Sequence, residues 1–204
     1  MAVARNEIRP YRQKVRAERQ AETRQRIIES AVALHLERGP AQTSINAIAE
    51  RAGVNRVTVY RHFPDARTLL DACSAHARKV DPPPALDGWR AIGDPRRRTE
   101  VALTQLYAYF RRTEAGWSNV LRDAELAPLV REMAEEKRLA YLCEARDVLL
   151  AGWRARGARR RLLRAVLGLA VDFRTWQTLA RREALDDRSV VALMVHLATS
   201  VGGR

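Results

Sequence analysis

The sequence predicts an all-α protein in which two helical domains follow a short basic arm. Three observations carry this reading. Apolar residues recur at the i, i+3, i+4 spacing of helices through most of the chain. Strand signals are missing, because β-branched residues seldom cluster and no Asn-Gly or Asp-Gly turn separates alternating segments. A Pro- and Gly-containing stretch, from Asp81-Pro82-Pro83-Pro84 to Gly93-Asp94-Pro95, breaks the helical pattern at one strong boundary.

Taken in order, residues 1–22 are polar and Arg-rich and are expected to form a flexible basic arm with Arg5, Arg9, Arg12, Lys14, Arg16 and Arg19. From Thr23 to Arg38, Ile27, Ile28, Ala31 and Leu34 share one helical face, and Gly39-Pro40 ends the run. Thr43 or Ser44 caps a second, short helix with Ile45, Ile48 and Ala49, ending at Gly53. Asn55 caps a third, from Arg56 to about His62, and Pro64-Asp65 opens a fourth containing Leu69, Leu70 and Cys73. These elements set expected divisions of 1–22, 23–80 and 81–204. Beyond residue 95, helices are expected over 96–113, 117–122, 128–153, 158–182 and 187–201.

Of the 204 residues, 47% are hydrophobic and 30% charged, which suits a folded protein. The formal charge of +13 draws polyanions, so nucleic acid is the leading partner class and an anionic membrane surface its rival. The charge is not confined to one tail. Residues 1–79 hold 15 Lys and Arg against 8 Asp and Glu, and the remainder 22 against 16. No apolar run is long enough for a membrane span, and no apolar segment follows the basic N-terminus as a secretory signal requires. Cys73 and Cys143 form no CxxC pair, which argues against a disulfide framework or zinc site and fits a reducing cytoplasm.

The segment Thr43 to Phe63 has the geometry of a helix-turn-helix: two short helices joined by a glycine turn. Ile48, Ala49, Ala52, Val54 and Val59 are placed to pack the helices together, and Gly53 can take the positive φ of the turn. Asn55, Arg56, Val57, Thr58, Tyr60 and Arg61 remain for an exposed face suited to base edges and phosphates. On spacing alone, an ordinary helical hairpin with polar outer faces fits equally well.

At these residues the chain resembles the TetR (tetracycline-repressor) family. Ile48-Ala49, Ala52-Gly53-Val54-Asn55 and Thr58, Tyr60, His62, Phe63 match its signature in register, and Arg26 to Gly39 mirrors its opening helix. The likeness spans about residues 24–72. It implies an N-terminal three-helix helix-turn-helix DNA-binding domain and a C-terminal helical ligand-binding and dimerisation domain. It also implies a homodimer on palindromic double-stranded operator DNA, commonly a repressor released by a small-molecule inducer. Position by position, the Thr43/Ser44 cap touches a phosphate, Asn55, Arg56, Val57, Thr58 and Arg61 enter the major groove, and Tyr60 and His62 hold the backbone. Three departures stand out. Ala66 replaces the family's usual phosphate-binding lysine, for which Arg67 is the substitute. Val57 stands where glycine is frequent, and His35 occupies an aromatic core slot, where a buried neutral histidine is expected. The basic arm either reaches along the minor groove or stays a solvated tail.

The resemblance implies that the C-terminal half dimerises and builds a pocket. The sequence independently provides a run from Leu162 to Leu179 that is apolar on more than one helical face. The last helix repeats Val190, Leu193, Met194, Leu197, Ala198 and Val201 at helical spacing. These two helices are expected to form the dimer interface through Val166, Ala170, Val190, Met194, Leu197, Ala198 and Val201, as a four-helix bundle. A monomer whose last helix completes its own core is the alternative. Tyr107, Phe110, Trp117, Tyr141, Asp172, Phe173 and Trp176 are the pocket candidates, although aromatics at helical spacing more often form plain core. Asp172 within an apolar run calls for a partner, either Arg111, Arg112 or Arg174, or a cationic ligand.

Neither a cofactor nor a metal nor catalysis is expected. The four histidines lack metal-ligand spacing, and neither a Gly-rich phosphate loop nor a GxSxG elbow occurs. The ligand-released repressor is the leading reading. A constitutive or architectural DNA-binding protein is the alternative, and a helical enzyme the remote one.

Overall fold

Helix α1 runs unbroken from Ala4 to Arg38 in the computed structural model, which describes residues 4–203, with side chains from residue 13 onward apart from 137 and 138. This corrects the expectation of a flexible arm up to residue 22. Residues 13–22, Gln-Lys-Val-Arg-Ala-Glu-Arg-Gln-Ala-Glu, are nearly all strong helix formers with no breaker among them, so the helix continues past its core-facing part. The side chains of Arg5, Arg9 and Arg12 lie outside the described residues.

Gly39, at φ 94°, ends α1 and donates its N–H to His35 O at 3.0 Å. Helix α2 spans Ile45–Ala52, α3 Arg56–His62 and α4 Ala66–Val80. Ser44 is the cap of α2, its hydroxyl accepting from Ala47 N–H at 3.2 Å, whereas Thr43 donates its hydroxyl to Gly39 O. Asp65 caps α4 by accepting from Thr68 N–H at 2.7 Å. Ile27, Ala31 and Leu34 of α1 pack with Ile48 and Ala49 of α2, Val59 of α3, Phe63, and Leu69 and Cys73 of α4. Burial in that core pushes the Cys73 thiol up to about 12, so it stays protonated. His35 does not fill the core as expected. It is half-buried, at the edge of the apolar stripe that Leu34 completes.

The chain divides into two compact units after Val80. In the second, α5 (Leu86–Arg90) sits inside the Pro-rich stretch and buries Trp89, which donates Nε1–H to Gln105 at 2.7 Å. Helix α6 runs from Pro95 to Leu126 without the break expected near residues 114–116. Trp117 and Leu121 keep the phase of Leu103, Leu106 and Phe110, so burial of one continuous stripe overrides the weak local signal.

Helix α7 (Pro128–Ala134) passes through a π-helical turn at Glu135–Leu139 into α8 (Ala140–Leu150). The helix expected over 158–182 is in fact α9 (Gly157–Ala170), a break, α10 (Phe173–Gln177) and a π-helical turn at Thr178–Arg182. Helix α11 covers Asp187–Gly202. The buried Arg98 guanidinium donates to Ile92 O, just after α5, and to Val148 O and Ala151 O at the end of α8, satisfying its charge with carbonyls. Among the described residues no helix is long and apolar enough to cross a membrane.

Candidate nucleic-acid interface

The turn between α2 and α3 depends on Gly53, at φ 65° and ψ 38°, a left-handed conformation that is strained for other L-residues. There the Gly53 and Val54 N–H groups close the end of α2 on Glu50 O and Ala49 O at 3.1 and 3.0 Å. Two residues on, Asn55 Oδ1 accepts from Thr58 N–H at 2.8 Å and starts α3. Local chemistry thus ends one helix and begins the next within three residues.

Helix α3 buries Val59 and turns Arg56, Val57, Tyr60 and Arg61 outward; Asn55 is exposed beside them and Thr58 half-buried. Val57 is 76% exposed, an apolar side chain left in water on an otherwise polar face. Arg56 lies along its own helix, its guanidinium 5.3 Å from the Tyr60 ring centroid and 3.1 Å from the Tyr60 hydroxyl. Because the Asn55 carbonyl is committed to the cap, its amide N–H groups remain for another partner.

His62 closes α3 in a half-buried position, and among the described residues its Nε2 is a buried polar atom without a hydrogen-bond partner. Burial, then the nearby Arg61 and Arg24, hold its pKa below the ordinary value, so it is neutral at neutral pH. Arg24 also lies 4.8 Å from the centroid of the Phe63 ring. Ala66 is exposed and uncharged, and Arg67 beside it is half-buried.

In the second unit, the aromatic candidates are brought together as a close-packed cluster. Tyr107, Phe110, Phe173 and Trp176 have no exposed surface. Phe110 meets Trp117 at 5.1 Å and Phe173 at 5.4 Å between centroids, and Trp117 stacks on Phe173 at 5.3 Å. The Tyr107 hydroxyl donates to Ala170 O and that of Tyr141 to Pro84 O. Asp172 needs neither of the partners expected for it. Its carboxylate caps α10, accepting from Thr175 N–H at 2.8 Å, and the acid sits in the apolar run because the helix breaks there. Arg111 instead binds Asp187, Arg112 binds Asp81 and Arg174 binds Glu125.

The expected interface residues divide sharply. Ala170, Val190 and Ala198 have no exposed surface and Met194 is 5% exposed, so all four belong to the unit's own core. Val166, Leu197 and Val201 keep exposure and share it with Leu162, Leu169 and Leu193, along two helices, α9 and α11, that pack on each other. Leu162 and Leu169, each 58% exposed, stand outside the expected set because periodicity alone does not say which of two apolar faces the core takes.

A Gly-turned pair of short helices, capped at both starts and presenting a basic outer face, defines a helix-turn-helix transcription regulator. The model for bacterial regulatory proteins of the tetR family matches residues 27–73, inside the first unit. Over 165 residues the chain is 28% identical to the HTH-type transcriptional repressor BepR of Brucella suis biovar 1 (strain 1330), across 72% of this chain and 78% of that protein. A TetR-like transcriptional regulator from Rhodococcus sp. RHA1 shares the fold, with a TM-score of 0.62 at 20% identity over 89% of this chain and 97% of that one. The multidrug binding protein EbrR, solved with imidazole, aligns at 26% identity and a TM-score of 0.54 over 86% of this chain and 89% of that one. Residues 27–73 thus match the tetR-family regulatory model, and the chain is similar over most of its length to transcriptional regulators of that kind.

Proposed function

We propose that the protein is a homodimeric repressor, acting in the cytoplasm, that holds a palindromic operator with one α2–α3 pair per subunit and releases it when a small molecule binds. The observation that carries this reading is α3 itself, with Arg56, Val57, Tyr60 and Arg61 turned out together from a helix anchored by the Asn55 cap. Arg56 and Arg61 each match a guanine edge, worth roughly 1–3 kcal/mol of discrimination, and Val57 meets a thymine methyl. Asn55 and Thr58 border the same groove. Tyr60, His62 and the Thr43-Ser44 corner hold phosphates, with Arg67 standing in for the lysine that Ala66 replaces.

The exposed apolar face of Leu162, Val166, Leu169, Leu193, Leu197 and Val201 supports a two-fold four-helix interface. BepR is named a repressor and EbrR a multidrug binding protein, which favours repression and a small-molecule effector. One observation favours a second reading, a constitutive DNA-binding protein. The aromatic cluster where an effector would lodge is filled by its own rings.

A nuclease footprint of the DNA upstream of the protein's own gene, repeated with Tyr60→Ala, tests the assignment. Protection of a palindrome that the variant loses is the expected result, and equal protection by both proteins rejects the reading helix. A compound screen for release of that DNA then separates the two readings. For the interface, Leu169→Arg with Leu197→Glu is expected to give a monomer by sedimentation, and an unchanged dimer overturns that assignment.

A further inference from the structure

The geometry points to a seat for one backbone phosphodiester of DNA between the N-terminal extension of α1 and the C-terminal end of α3, formed by Arg16, Arg19 and His62, with Arg61 at its α3 edge. It rests on the reading of α3 as the DNA-reading helix and extends contact to the flank of each half-site.

The extension is the first clue. Among the described side chains of α1, Ile27 is the first that is fully buried. Arg16, Arg19, Gln20 and Thr23 precede it on the same helical face, spaced by three or four residues. The face that packs the core from Ile27 onward therefore continues as a polar, basic face with no core beneath it. Packing alone gives no reason for the helix to continue there.

What lies opposite is the second clue. The extension and the end of α3 enclose a concavity of about 630 Å³ lined by Arg16, Arg19, Gln20, Thr23, Arg61 and His62, with Val15 at its edge. Among the described residues three guanidinium groups line it and no carboxylate does. None of the three has an ion-pair partner among the described residues, whereas Arg111, Arg112, Arg174 and Arg181 of the second unit are all paired. Thr23 adds no free donor, since its hydroxyl is bonded to Arg19 O.

His62 supplies the third. The residue lines the concavity, and its Nε2 is buried and without a partner among the described residues, which is costly unless a ligand meets it. A phosphodiester fits this set. It has one charge and two free oxygens, it accepts the forked donors of arginine, and its second oxygen takes Nε2–H of the neutral ring. Duplex DNA carries such groups in a fixed row beside the groove that α3 enters.

The test uses the full-length protein and a duplex it selects from a random-sequence library, with Arg16→Gln/Arg19→Gln as the variant, because glutamine preserves helix propensity. Circular dichroism is expected to show unchanged helicity. The slope of log affinity against log salt should fall by about 0.9 for each phosphate lost. Affinity should drop roughly tenfold on selected and random duplexes alike, as loss of a charge-assisted bond predicts. Neutralising single phosphates as methylphosphonates should weaken wild-type binding at one flanking position per half-site and leave the variant indifferent there.

An unchanged salt slope, or the same methylphosphonate pattern in both proteins, overturns the seat. Competition by inorganic phosphate at matched ionic strength, lost in the variant while its duplex binding is intact, overturns it in favour of a free anion. Capture by phosphatidylglycerol vesicles that the variant loses, again with duplex binding intact, overturns it in favour of a membrane. A reduced slope in the variant alongside base preferences indifferent to Arg56→Ala upholds the seat and rejects α3 as the reading helix.

Discussion

The carboxylate of Asp187 accepts two hydrogen bonds from the Arg111 guanidinium, at 2.8 and 2.7 Å, and a third from the Trp176 indole at 3.0 Å. A second pair, Arg181 with Glu114, lies beside it, and Arg111 and Arg181 both stand 5.7 Å from the Trp176 ring centroid. The start of α11 is thereby tied to the middle of α6 and to α10.

That arrangement makes the second unit sensitive to acid. Hydrogen bonding from Arg111 holds the Asp187 carboxyl below its ordinary value of 3.8, and Arg181 holds Glu114 below its ordinary 4.5. Their contribution is complete above those ordinary values and is lost as pH falls through the lowered ones. All four tryptophans lie in this unit, so denaturant unfolding followed by tryptophan fluorescence reports on it alone. Stability is expected to hold from pH 7 to about 5 and to decline below pH about 4, and Asp187→Asn should flatten the decline. An equal decline in Asp187→Asn rejects this account.

Gly202 is expected to tolerate no side chain. A Cβ there would come within 2.3 Å of Trp153 Cε3, on a ring that is buried and fixed by its own bond to Leu149 O. Gly202→Ala should destabilise the unit by about 1–3 kcal/mol through overpacking. Gly168→Ala, whose added atom meets only Arg146 Cδ at 3.8 Å, should instead be neutral or stabilise by about 1 kcal/mol. Equal melting temperatures for the two variants contradict the prediction.

His62 sets a pH dependence in the first unit. Burial and the charges of Arg61 and Arg24 disfavour its protonation, so the folded unit resists taking up a proton that the unfolded chain accepts near 6.5. Stability is full above that value and falls as pH drops through the lowered one. Hydrogen exchange of α3 amides at pH 7 and pH 5 should show the loss, and His62→Gln should remove it. A pH response that survives the substitution assigns it to another group.

Asn55 combines two roles that substitution can separate. Asn55→Ala removes the cap and should cost about 1 kcal/mol. Asn55→Asp keeps the accepting oxygen but places a negative charge on the DNA-facing surface. Its melting temperature should match the wild type while its affinity for DNA falls. If Asn55→Asp binds DNA as tightly as the wild type, the residue faces away from the duplex.

The helix-turn-helix was legible because its determinants are local. Ser44, Gly53, Asn55 and Asp65 each act on backbone groups within five residues, and the structure keeps every one of those boundaries. The second unit was less legible where tertiary packing decides. The buried stripe of α6 carries the helix through an expected break, and Asp172 starts a new helix where continuous periodicity hid the end of the old one. Apolar spacing located α9 and α11, yet only the packed structure shows that Ala170 and Val190 face inward and Leu162 and Leu169 outward. Helix propensity in residues 13–22 was readable, but the basic composition of the segment drew the reading towards an irregular arm.

The continuity of α1 has an angular consequence. Arg16 and Ile27 are eleven residues apart on one helix, about three turns and roughly 16 Å of rise, so the bearing of the arginine is locked to that of the core residue. One residue inserted between Arg19 and Thr23 would swing the guanidinium groups about 100° around the axis, while seven would return them almost to their original heading. A slack tether would forgive either change. In this protein the phase of the helix, rather than the mere presence of arginine, determines which way its leading end reaches.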